Sequence, residues 1–152
     1  MPDGNLGQSV LSHVIVLGAV SGMRSMLGLA LLAWFGGPGV GLLSALWARV
    51  VVGLAAAFEI VNDKLPRTPS RLIPPQFAAR LLLGAICGAL LMRRAHLILW
   101  IGVGLGALSA AGAAVVASKV RRFLGQKTGL ADPWFGALED LVAIALGFWA
   151  VG

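Results

Sequence analysis

Arg24 is the residue that most needs a chemical explanation. It stands inside the first long apolar run, in Gly18-Ala-Val-Ser-Gly-Met-Arg24. A guanidinium at the centre of a hydrocarbon layer costs roughly 2.5–3.5 kcal/mol on insertion scales. Such a charge is retained where opposite charge compensates it. The carboxylates that recur near the ends of later apolar runs are Glu59 with Asp63, and Glu139 with Asp140. Glu59 and Asp63 are four apart and share a helix face. Glu139 and Asp140 fall in the first turns of a run, where the backbone dipole favours acids. Lys64 and Arg80 are expected at the same level. Ser21, Arg24, Glu59, Asp63, Lys64, Arg80, Glu139 and Asp140 therefore form the candidate binding set. Its two readings are an ionic lock between helices, in which Arg24 pairs with Glu59 or Glu139, and a water-accessible site for an ion, a proton or an anionic group.

Catalytic patterns are poor, and the chain is expected not to be an enzyme. Ser21-Gly22 is reminiscent of an intramembrane serine nucleophile, but Ala19 stands where a Gly-x-Ser-Gly pattern needs glycine. The possible bases, His13 and His96, fall at the ends of apolar runs, away from Ser21; a nucleophile needs its base within hydrogen-bond reach. No phosphate-binding glycine loop, dinucleotide fingerprint or His-rich metal site occurs, so no cofactor is expected. The carboxylates alone could hold a hard divalent cation, but that pattern is too unspecific for a metal site to be assigned. Cys87 is the single cysteine, which excludes an intrachain disulfide and a cysteine-based metal site.

The elements that must position these residues are membrane helices. Of 152 residues, 59% are hydrophobic and only 12% charged, against about 25% charged in soluble domains. The expectation is one integral membrane domain over residues 1–152: an all-α, polytopic bundle of about five spans. The runs are 10–35, 40–61, 77–92, 95–118 and 133–152. The third is the shortest and is expected to be short or re-entrant. The N-terminal run is too long for a signal-peptide core and lacks a preceding basic segment. The net charge of +6 lies in connectors between runs, which argues for membrane orientation and against nucleic acid.

Five crossings put Lys64, Arg67, Arg71, Arg80, Lys119, Arg121, Arg122 and Lys127 on one side, and Arg49, Arg93 and Arg94 on the other. The positive-inside rule then predicts an inner-membrane protein with a cytoplasmic N-terminus and an outer C-terminus. Trp34, Trp47, Trp100 and Trp149 fall near the outer interface and Trp134 near the inner one, as an aromatic belt. Gly18 and Gly22, Gly84 and Gly88, and Gly102 and Gly106 are small residues four apart, a pattern that lets helices approach closely. Their expected use is packing within one protomer, with a homodimer seam as the alternative. Gly18-Ala-Val-Ser21 echoes Gly106-Ala-Leu-Ser109, and Ala57-Phe-Glu59 echoes Ala137-Leu-Glu139. A weak internal repeat would make the two halves inverted.

Gly18-Ala-x-Ser-Gly-x-Arg24, Glu59-x-x-x-Asp63-Lys64-x-Pro66, a Pro before Arg80, and Glu139-Asp140 together resemble an uncharacterised family of small bacterial integral membrane proteins, catalogued as a domain of unknown function. The resemblance covers nearly the whole chain. It implies a multi-pass bundle and a functional interest in Arg24, Glu59, Asp63, Lys64, Arg80 and Glu139; it brings no activity with it. A looser similarity is to cation/proton exchangers with a Glu-x-Gly-Asp-Lys segment in each half; here the spacing is one residue longer and no second Asp-Lys occurs. The functional expectation is a small transporter- or channel-like protein for an ion or an anionic lipid or metabolite, as a homodimer in the bilayer. The alternative is a membrane scaffold whose charged cluster is structural.

Overall fold

The computed structural model describes residues 4–37, 39–62, 73–128 and 132–152. Among them the regular structure is entirely helical: α1 (Gly4–Met23), α2 (Ser25–Phe35), α3 (Leu46–Asn62), α4 (Pro74–Arg94), α5 (Leu99–Thr128) and α6 (Asp132–Val151), with a single 3-10 turn at Gly41–Ser44 before α3. The boundaries follow local chemistry where the sequence supplies it. Pro74 and Pro75 occupy the first turn of α4, where the missing N–H groups are not needed, and Arg93 and Arg94 sit at its C-terminal, electronegative end. In the turn after α2, Gly37 and Gly39 take φ of 68° and 103°, which a side chain would resist. The Arg94 side chain lies over this turn.

The first apolar run departs from expectation. It is two helices, interrupted at Arg24, whose backbone is extended (φ −136°, ψ 111°). Beyond the break α2 turns back along α1. Gly28 lies against Ser21 and the Leu17 carbonyl, although eleven residues along one straight helix would put 17 and 28 about 16 Å apart. Val20 of α1 and Leu31 of α2 both pack on Gly147 of α6. His13 meets the ring of Trp149, and Phe35 meets that of Phe148, each with centroids 4.8 Å apart. Residues 10–35 therefore form a V whose apex is Arg24, with α6 packed across its mouth. Both arms open toward one end of the bundle.

This V corrects the predicted path. The start of α1 lies beside the end of α6, whereas five full crossings would separate them. The folded-back segment is the first run, not the third. The third is a 21-residue helix, with Arg80 buried inside it.

Around the V the other helices run lengthwise. Glycine contacts fix their directions: Gly18 meets Gly106 and Gly22 meets Ala110, so α1 and α5 are parallel. Gly84 meets Gly106 and Gly88 meets Gly102, so α4 and α5 are antiparallel. All three small-residue stripes are consumed in this α1–α4–α5 seam. At Gly88, Gly102 and Gly106 an added Cβ would overlap the facing backbone, so only glycine permits the approach. The Ser109 hydroxyl adds a 2.5 Å hydrogen bond to the Ile15 carbonyl. The echoing segments around Gly18 and Gly106 are thus parallel neighbours, not the antiparallel pair of an inverted repeat.

Among the described residues three helices are long and apolar enough to cross a membrane: α4, residues 99–124 of α5, and residues 134–151 of α6. Apolar side chains also face outward, including Phe58 and Leu108, each 72% exposed. One end of the bundle carries Trp34, Trp47, Trp100 and Trp149; the other carries Trp134 and the basic residues late in α5.

Candidate functional site

A helix interrupted inside a bundle exposes two sets of orphan groups, the last carbonyls of the first piece and the first amides of the second. Both sets are met by charged side chains from distant helices. Glu59, from α3, reaches the start of α2. Its Oε1 accepts hydrogen bonds from the Ser25 backbone N–H at 2.8 Å and the Ser25 hydroxyl at 2.6 Å. Its Oε2 accepts the Met26 N–H at 2.8 Å. A carboxylate here answers both the free amides and the positive end of the α2 dipole.

Arg80, from α4, serves the opposite polarity. Its Nη1 donates to the Gly22 and Met23 carbonyls, both at 2.7 Å, at the negative end of α1. Its Nη2 stands 3.7 Å from Glu59 Oε1. Arg80 thus couples the two capping events. Arg24, at the apex, points to α6, where its Nε and Nη2 each lie 2.5 Å from Asp140 Oδ1. Four elements are thereby tied to one point: the V, α3, α4 and α6.

Arg24 is fully buried, and Arg80 and Asp140 are 5% and 7% exposed. The Glu59 side chain keeps 19% of its surface accessible. Along α1, α4 and α6 the apex is about 16–21 Å from the tryptophan-rich end, counting 1.5 Å per residue from His13, Arg94 and Val151. Pro74, on the other side, is only about 9 Å from Arg80. The network therefore occupies the interior of the bundle, nearer its basic end.

Of the predicted set, Arg24, Glu59, Arg80 and Asp140 meet in this network. Ser21 does not join it. Its hydroxyl is buried in the angle of the V and donates to Cys87 Sγ at 3.6 Å, a contact at which Gly28 leaves just enough room. Glu139, next to Asp140, faces a groove between α5 and α6. Asp63 and Lys64 lie outside the described residues. Sequence reasoning missed Ser25 and the Met26 amide, because it read residues 10–35 as continuous helix. A serine directly after a buried arginine, with Gly28 three residues on, was the available signal.

What the arrangement does chemically is cap the two helix ends and pair the charges that meet there. His13 sits beside Trp149 at the far end, and His96 forms the α4–α5 turn with φ 55°, so neither pairs with Ser21. Among the described residues no group of three or more His, Cys, Asp and Glu could hold a metal ion. No protein-family model, curated protein or solved structure matches the chain.

Proposed function

We propose that the chain is a multi-pass inner-membrane protein with its basic end in the cytoplasm, and that it acts as a small transporter- or channel-like protein for an anion. The observation that carries this reading is the Glu59 carboxylate seated on the first amides of α2. Half-helices whose N-termini point at anionic groups recur at membrane transport sites. Glu59 occupies that position as a tethered anion, flanked by the Arg80 guanidinium. Its displacement by a free anion would leave the same donors to bind the newcomer. Orientation follows from charge. Lys119, Arg121, Arg122 and Lys127 lie at the end where α3 finishes and α4 begins; Arg49, Arg93 and Arg94 lie at the other. With the V folded back, both the start of α1 and the end of α6 then face outward.

The resemblance to small bacterial membrane proteins agrees with this setting and adds no substrate. A second reading, a non-transporting scaffold or assembly partner, is favoured by the near-complete burial of Arg24, Arg80 and Asp140. Flux measurements separate the two. Liposomes holding the purified chain should pass chloride, phosphate or acetate faster than empty vesicles. Glu59→Gln, which removes the tethered charge but keeps the side chain's size, should raise the flux several-fold. Flux equal to that of empty vesicles for all three anions, in wild type and Glu59→Gln alike, favours the scaffold.

A further inference from the structure

Consecutive helices usually pack on each other, but α5 and α6 do not. Both lean on α1, and they barely touch one another. The gap between them is a groove of about 390 Å³, within the ~300–1,000 Å³ range of small-molecule sites. Its walls include Ala113, Ala117 and Val120 of α5 and Phe135 and Val142 of α6, with Met23, beside the Arg24 break, at its back. These walls are apolar throughout. Polar groups enter at two places only, Glu139 on the α6 side and Arg121 on the α5 side. From Ala113 to Leu124 the groove follows α5 for about 17 Å.

We propose that this groove holds one acyl chain of an anionic membrane phospholipid, with the headgroup phosphate at its Arg121 end. The proposal rests on the bilayer placement argued above, and it is independent of anion transport. Charge selects the occupant and its direction. Arg121 lies one turn before the end of the groove wall at Leu124, and Lys127 follows Val120 and Leu124 on that helix face, its Nζ 4.6 Å from the Phe123 ring centre. Lys119 and Arg122 are exposed on the neighbouring turns of α5. Glu139 lies on the α6 wall, about two turns from the start of that helix, and repels a phosphate from the deeper part. A phosphate is therefore drawn to the basic end while the chain lies along the apolar walls. Basic pockets between helices on the cytoplasmic side bind anionic headgroups in this manner.

The test uses the full chain, purified in detergent, delipidated and titrated with dioleoyl phosphatidylglycerol or dioleoyl phosphatidylcholine under native mass spectrometry. Wild type should hold one phosphatidylglycerol at least about tenfold more tightly than phosphatidylcholine. Ala117→Phe, which fills the groove, should abolish the tight site. Arg121→Gln combined with Lys127→Gln should bring the two lipids to equal, weak affinity. Equal affinity for both lipids in wild type overturns the proposal, as does tight phosphatidylglycerol binding that survives Ala117→Phe. A dimer that Ala117→Phe dissociates, with no tight lipid, overturns it in favour of a second copy. Thermal unfolding in the same detergent identifies variants that fail to fold; Ala113→Leu then replaces Ala117→Phe. A chain released from membranes by salt or alkali without detergent would refute the bilayer placement itself.

Discussion

Where α1 meets α4 and α5, the helices touch backbone to backbone through glycines and one serine hydroxyl. Where α1 gives way to α2, a turn or two further along, contact is made by ionised side chains from three other helices. The first region is held by shape and tolerates no added atoms. The second is held by charge balance. Shape fixes directions for three helices at once; charge fixes one point, the apex of the V.

The largest effect should come from breaking charge balance on one side. Arg24→Ala leaves Asp140 buried without its guanidinium, and loss of one partner of a buried pair costs about 3–5 kcal/mol. Arg93→Ala, at an exposed helix end, should stay within about 0.5 kcal/mol. Equal thermal stability of the two variants in detergent would remove the contrast. Replacing both partners, Arg24→Met with Asp140→Leu, should recover most of the loss, because a matched apolar pair is often neutral or better.

The glycine seam should respond in the opposite way. Gly88→Val drives a side chain into the Gly102 carbonyl, and overpacking of this kind costs about 1–3 kcal/mol or more. Here a second substitution at Gly102 should worsen the defect, since each glycine abuts the other's backbone. Recovery in that double variant would mean that the seam is not set by shape. The smallest effect is expected at Ser21→Ala, which removes only the hydrogen bond to Cys87. A net loss of about 0.5–1.5 kcal/mol, read by thermal unfolding, would match an ordinary neutral hydrogen bond. A much larger loss would make Ser21 part of the network that its geometry excludes.

The helical class and the need of Arg24 for an acid were legible because they depend on composition and on the rarity of charge. A lone guanidinium in an apolar run has few acids to choose from, but the acid it meets is Asp140, not the Glu59 or Glu139 of the expected lock. The glycine stripes were legible because spacing of four shows directly as a shared helix face. The break at Arg24 was not. No proline or glycine pair marks it, and the residues after it, Met26 to Phe35, read as good helix. Its cause is non-local: the backbone groups freed there are satisfied by Glu59 and Arg80, 34 and 57 residues away from Ser25 and Met23. A single-run reading also misplaces the start of α1, because folding one run back reverses the parity of everything before it. The four tryptophans escape this error, since Trp34 reaches the same end by either path.

The order in which these partners are synthesised follows from the same contacts. When residues 4–35 emerge from a ribosome, neither Glu59 nor Arg80 exists to satisfy the V, and Arg24 must wait for a carboxylate 116 positions later. Until α6 is made, the arginine at the tip of the hairpin lacks its Asp140 partner. Assembly is therefore completed from the far end of the sequence, and the earliest helices are the last to reach their final state.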